Sequence, residues 1–168
     1  MRNIYLIGLP GAGKTSIGRL LAKELQRRFV DTDRQIMKKA KQSVPDIFRE
    51  KGEAAFRQME HEALLDLAGR KNRIVATGGG IILNPENILL MRKSGRVIWI
   101  KRPPEIIIQS PRIKKRPLLA ADANKLFTLY EERKAFYQEA AHLEIDNIEN
   151  REDTVKTILA ALEKSEKA

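Results

Sequence analysis

With 168 residues, 42% of them hydrophobic, the chain can bury one well-packed core and is too short for two ordinary domains. Lysine and arginine outnumber acidic residues 32 to 22, a net charge of +10 that suits a polyanionic partner, whether a nucleic acid or a small phosphorylated molecule. Cysteine is absent, which excludes disulfides and thiol catalysis, and no apolar run approaches the ~20 residues of a membrane span or the leader of a secreted chain. A cytoplasmic protein with no membrane partner is therefore expected.

In chain order, Ile4-Tyr5-Leu6-Ile7 is a short apolar run that predicts a buried strand, and Ser16 to Arg28 carries Ile17, Leu20, Leu21 and Leu25 at helical spacing. Between them stands Gly8-Leu9-Pro10-Gly11-Ala12-Gly13-Lys14-Thr15, which fits the Walker A pattern. Its glycines let the backbone turn tightly and bring N–H groups of Gly11, Ala12, Gly13, Lys14, Thr15 and Ser16 toward phosphates, while the helix start adds the positive end of its dipole. Lys14 can reach the β and γ phosphates, and Thr15 offers a hydroxyl to magnesium. A glycine turn capping an ordinary helix would need none of the lysine, the hydroxyl or the preceding strand. The expected ligand is a nucleoside triphosphate.

Further strand-like runs follow at Phe29-Val30, Ile74-Val75-Ala76, Val97-Ile98-Trp99-Ile100 and Leu143-Glu144-Ile145, separated by helical segments. This alternation predicts a three-layer α/β/α sandwich around a parallel sheet of five strands. One helix is expected to end before Gly69, and another to start at Asn84-Pro85 and stop before Gly95. Asp122 is the expected cap of a long helix through Ala141, and either Asn150 or Asp153 starts the last one, with Val155, Ile158, Leu159 and Leu162 as its buried stripe. The lysines and glutamates beyond are expected to fray. Residues 109–121 hold Pro111, Arg112, Lys114, Lys115, Arg116 and Pro117 without an acid, as a lid closing over phosphates would.

Several side chains suggest chemistry. The third strand runs into Thr77-Gly78-Gly79-Gly80 and carries no aspartate, so another acid must serve magnesium. Asp31 and Asp33 lie two apart at the end of the second strand, where extended chain would point both to one side, into the ligand crevice. The competing duty for Asp33 is a helix cap. Arg57 stands three residues before Glu60, a common surface ion pair that would also hold a guanidinium aimed at a carboxylate. Three glycines at 78–80 after a buried strand are more than a single flexible turn requires. His61 and His142 match no catalytic or metal pattern, and Phe127, Tyr130, Phe136 and Tyr137 are expected to be packing residues. Aromatics amount to 5% with no alternation of basic and aromatic residues, which argues against nucleic acid as the partner.

Four patterns occur in one order: Phe29-Val30-Asp31-Thr32-Asp33, Gly52-Glu53-Ala54-Ala55-Phe56-Arg57-Gln58-Met59-Glu60, Thr77-Gly78-Gly79-Gly80 and Arg116-Pro117-Leu118-Leu119. With Arg133 and Tyr137 they resemble the shikimate kinase family from Ile4 to about Tyr137. The resemblance implies a P-loop fold of the nucleoside monophosphate kinase type in a single domain over 1–168. It further implies a substrate-binding helical region at 33–61, a lid at 109–121, and a monomer that phosphorylates shikimate with ATP and Mg²⁺. It places Asp31 on the magnesium side through water, and Asp33 at the substrate hydroxyls, where it could also take a proton. Arg57 and Arg133 would grip the substrate carboxylate, and Gly78, Gly79 and Gly80 would line the pocket. Arg116 would join Lys14 in stabilising the transferred phosphoryl group.

The chain departs from the family pattern in places. Gln109 stands where an arginine for the nucleotide is usual, leaving Arg112 to serve from a displaced position; Ile36-Met37 and Lys41 also differ, and residues 146–151 match nothing securely. Gluconate and nucleoside monophosphate kinases are the nearest alternatives, disfavoured by Asp31-Thr32-Asp33, Phe56-Arg57 and the triple glycine. A nucleic-acid-linked NTPase or a noncatalytic nucleotide-binding module stands further off.

Overall fold

The computed structural model describes residues 2–110 and 123–167. Its strands are β1 (Asn3–Ile7), β2 (Arg28–Asp31), β3 (Arg73–Ala76), β4 (Gly95–Lys101) and β5 (Leu143–Asp146). They form one parallel sheet in the order β2-β3-β1-β4-β5. The helices are α1 (Lys14–Glu24), α2 (Thr32–Ala40), α3 (Val44–Ala68), α4 (Pro85–Ser94), α5 (Pro104–Gln109), α6 (Ala123–Ala140) and α7 (Arg151–Lys167), with a 3₁₀ turn at Ile81–Leu83. Helices α1 and α7 pack together on one face, while α3, α4 and α6 follow the crossovers on the other. The three-layer expectation is met. Because both faces are covered, the central strands are apolar without alternation: Tyr5, Leu6, Ile7, Ile74, Val75, Val97, Ile98 and Ile100 are all buried.

Local chemistry sets the element ends. Helix α1 begins at Lys14, ahead of its apolar stripe, because Gly13 in a left-handed conformation launches it straight out of the loop, and it stops at Glu24 before Gln26 at φ 53°. Asn84 caps α4 by accepting from Glu86 N–H at 3.0 Å. Of the two candidates for the last helix, Asn150 is the cap: its Oδ1 accepts from Asp153 N–H at 2.8 Å. Helix α7 runs on to Lys167, so the tail expected to fray is helical. Asp122 lies outside the described residues.

A second, smaller core lies away from the sheet, where Ile36 of α2 meets Ile47 and Phe56 of α3, flanked by Phe48 and Met59. Helix α3 is broken at Gly52, whose φ of 82° and ψ of 170° lie in a region that essentially only glycine occupies. The break ends the first segment and starts a second that carries Phe56, Arg57 and Glu60 toward the sheet.

Candidate functional site

All five strands deliver residues to one cavity of about 820 Å³ at their C-terminal ends. Gly11, Gly13, Lys14, Thr15 and Ser16 line it after β1, Asp31 and Asp33 at the end of β2, Thr77, Gly78 and Gly79 after β3, Arg102 after β4, and Asn147 after β5. Gly8, Gly11 and Gly13 all have positive φ, and a Cβ on Gly13 would lie 2.8 Å from Asn147 Nδ2. The loop is therefore turned tightly against its neighbours, with α1 starting at its mouth. Lys14 is buried and its Nζ donates to the carbonyls of Gly8 and Leu9, both at 2.8 Å, so the ammonium lies inside the loop's curve.

Thr15 Oγ1 donates to Asp31 Oδ2 at 2.8 Å, placing a hydroxyl and a carboxylate side by side at the loop's mouth. Hard oxygen donors of this kind fit magnesium, which binds through one or two carboxylates, substrate phosphates and water. Asp31 is also the N-cap of α2, its Oδ1 accepting from Arg34 N–H at 3.3 Å. Asp33 sits one residue into the helix. The expectation of two acids on one side of an extended chain is thus corrected: α2 begins at Thr32, and the cap foreseen for Asp33 belongs to Asp31. Both still line the cavity.

Arg57 is held from two sides, by Glu60 through Nη1 at 2.5 Å and by Glu53 through Nη2 at 3.1 Å, and its guanidinium lies near the Phe48 and Phe56 rings. Burial works against its charge, but the carboxylates of Glu60 and Glu53 outweigh it and hold the group above the usual arginine range. Glu60 is 1% exposed, and burial raises its carboxyl while Arg57 opposes that rise. Arg133, on α6, also acts on Glu60, and lies beside Tyr137. The Tyr137 hydroxyl, pushed up to about 12 by burial, donates to Gly79 O at 2.6 Å.

Gly78 and Gly79 line the cavity, and the glycines after β3 are also required by the side chains packed against them. A Cβ on Gly78 would lie 2.6 Å from Glu60 Oε1 and 2.8 Å from Asp33 Oδ1, one on Gly79 would lie 2.8 Å from Pro10 Cδ, and one on Gly80 would strike the Arg57 guanidinium. They make room for the site's own side chains. The same geometry draws Asp33, Glu60 and Arg57 close around one loop.

The shikimate kinase family model matches residues 10–163. The chain belongs to the shikimate kinase family. It is 43% identical over 143 residues to the shikimate kinase of Persephonella marina, covering 83% of this chain and 86% of that one. The shikimate kinase of Symbiobacterium thermophilum is 41% identical over 167 residues, 96% of each chain. A solved shikimate kinase from Acinetobacter baumannii, in complex with shikimate, superposes with a TM-score of 0.92 at 37% identity, over 98% of this chain and 94% of that one. The P-loop fold of the nucleoside monophosphate kinase type holds for this member as well.

Of the residues that the family resemblance singles out, the structure gathers Gly11, Gly13, Lys14, Thr15, Ser16, Asp31, Asp33, Gly78 and Gly79 around the cavity, with Gly80, Arg57 and Arg133 adjoining it. Ala12 is fully buried beneath the loop. Arg112 and Arg116 lie outside the described residues, whereas Gln109, placed in the expected lid, ends α5. Phe127 and Phe136 are 38% and 37% exposed, whereas Tyr130 packs against the main core and Tyr137 lies within it, stacked on Trp99 at 5.5 Å. The histidines are structural: His61 Nδ1 pairs with Asn87 Oδ1 at 2.7 Å, and His142 Nδ1 accepts from Val97 N–H at 3.0 Å.

Three supporting residues escape sequence reasoning. Asn147, 2% exposed, donates to Ala12 O at 2.8 Å and accepts from Thr154 Oγ1 at 2.9 Å, tying β5 to the glycine loop. Thr32 Oγ1 accepts from Gly78 N–H at 3.1 Å, and Thr77 Oγ1 donates to Leu6 O at 3.0 Å. A small polar residue directly after β2, β3 and β5 is the available signal, and it is a weak one.

Proposed function

We propose that this chain transfers the γ-phosphoryl group of ATP to a hydroxyl of shikimate, giving shikimate 3-phosphate and ADP. The observation that carries this reading is one cavity wall shared by the phosphate loop and Asp33, with the Glu60-held guanidinium of Arg57 beside them. In this reading Gly11 to Ser16 cradle the phosphates, and Arg57 with Arg133 grips the substrate carboxylate. Asp33 accepts a hydrogen bond from the reacting hydroxyl. As the new O–P bond forms and the bond from the γ-phosphorus to the β–γ bridging oxygen breaks, the hydroxyl proton passes to Asp33 and the electron pair leaves on ADP. Lys14 stabilises charge on the phosphoryl oxygens, and Arg116 joins it from the lid, with Arg112 contacting the nucleotide. Magnesium, held by Thr15 and, through water, by Asp31, would neutralise the β and γ phosphates. Positioning and charge neutralisation supply most of the acceleration.

The same reading makes residues 33–61 the acceptor-binding region and 109–121 the lid of a single domain, acting as a cytoplasmic monomer without nucleic acid. No helix among the described residues is long and apolar enough to cross a membrane. A coupled ADP-release assay with shikimate, quinate, gluconate and AMP tests the assignment. Selective turnover of shikimate is expected. Preference for another acceptor, or hydrolysis driven by DNA or RNA, would overturn it.

A further inference from the structure

Beyond the glycine loop the cavity continues along the ends of β4 and β5, past Arg102, Ile107, Ser110, Asn147, Asn150 and Arg151. Two guanidinium groups stand on this wall, and they are held differently. Arg151 Nε donates to Glu152 at 2.8 Å, so its charge is matched locally. Arg102 is half-buried, its Nε is covered by protein without meeting an acceptor, and no carboxylate among the described residues pairs with it. The acids of the adjoining strand β5 are engaged elsewhere: Lys101 takes Glu144 at 3.3 Å and Asp146 at 3.9 Å. Pro103 and Pro104 stiffen the chain directly after Arg102. A partly buried cation without a counter-charge is unfavourable unless an anion comes to it.

We propose that Arg102 is a nucleotide-binding residue that engages the phosphate chain at the end nearer the nucleoside, while Lys14 and the glycine loop hold the far end. This rests on the ATP reading above. The sheet order supplies the direction: the acceptor residues Asp33 and Gly78 follow β2 and β3 on one side of β1, and Arg102 follows β4 on the other. The γ-phosphate must face the acceptor, so the nucleoside end points toward β4 and β5. A phosphate suits this guanidinium better than the face of a base. Its N–H donors lie in the plane of the group and need acceptors, which phosphate oxygens supply in matching geometry and a stacked base does not.

Calorimetry of the full chain with ADP, and with tripolyphosphate as competitor, tests this without any acceptor. Arg102→Ala is expected to weaken both about tenfold, equivalent to about 1.4 kcal/mol, while the shikimate KM stays within about twofold. Arg102→Lys, which keeps the charge and loses the fork, should recover part of the affinity. Should the alanine variant fail to fold, Arg102→Gln carries the same readout. An ADP affinity within about twofold of the parent overturns the proposal. So does weakened ADP binding with tripolyphosphate unaffected, which would put the guanidinium on the base or sugar. Turnover of some other acceptor would sink the shikimate reading and leave the Arg102 result standing, whereas a parent that binds no ADP removes both.

Discussion

On the reading proposed above, the phosphate-binding and acceptor-binding halves of the cavity are built in opposite ways. The glycine loop grows directly out of β1, the middle strand of the sheet, whose Tyr5, Leu6 and Ile7 are fully buried, and Asn147 ties it from the far side. The acceptor half rests on a small separate core of Ile36, Ile47 and Phe56, in a helix interrupted at Gly52, and its charges are aimed by ion pairs. One half is a contiguous segment on a rigid base; the other is gathered from residues 33, 57, 60, 78–80 and 133. The difference teaches that the phosphate loop itself is built locally, whereas acceptor choice depends on how several distant segments meet.

The sharpest way to break that comparison is Lys14→Ala. Loss of this group is expected to lower kcat about 10²–10³-fold, as removal of a transition-state donor does, with shikimate affinity largely kept. A parallel collapse of shikimate binding, measured by calorimetry, would mean that the halves are not separable. Next comes Arg57→Ala. It should raise the shikimate KM about 10- to 100-fold, the range expected for hydrogen bonds to charged groups, and the ATP KM far less. Equal effects on both constants would contradict the role given to Arg57.

Gly52→Ala probes the foundation of the acceptor half. Nothing lies within 4 Å of the added Cβ, so backbone conformation alone sets the effect. A cost of about 1–3 kcal/mol is expected, seen as a lower Tm and a raised shikimate KM with ADP affinity unchanged. An undisturbed shikimate KM would show that the break at Gly52 does not position Arg57.

The smallest effect is expected at the opposite end of the sheet, at His142. Burial, with Arg92, Arg96 and Arg2 nearby, lowers its pKa from the ordinary value of 6.5. The unfolded chain therefore binds a proton in a range where the folded chain does not. The stability this group contributes is present above the ordinary histidine value and is lost as pH falls through the folded one. His142→Gln should flatten the decline of Tm below neutrality and leave turnover untouched. An unchanged pH profile of Tm would show that the ring does not couple to folding.

What the sequence made legible follows from the same division. The five strands and the Walker A loop were readable because strand, turn and helix signals are local, and Arg57 with Glu60 was readable as an i,i+3 pair. Asp31 and Asp33 line the cavity with a geometry other than the expected one, because the start of α2 at Thr32 depends on a cap shared with the Thr15 hydroxyl, sixteen positions earlier. The crowding around Gly78, Gly79 and Gly80 was hidden for a related cause. What crowds them comes from Pro10, Asp33, Arg57 and Glu60, on three other segments. Asn147 was invisible because its partner, Ala12, lies 135 positions away.

The triple glycine has a bearing on how such an enzyme could change its acceptor. Since each of these positions abuts a side chain of the machinery, a methyl group there would displace an acid, a proline or a guanidinium before it trimmed the space for a new molecule. On the proposed reading, other surfaces open to variation that retunes acceptor choice are the cavity side of α2 at Arg34 and Met37 and the α2–α3 junction at Val44, which line the same cavity. The β3 loop is crowded by the side chains around it, so diversification would arrive more readily from the helices.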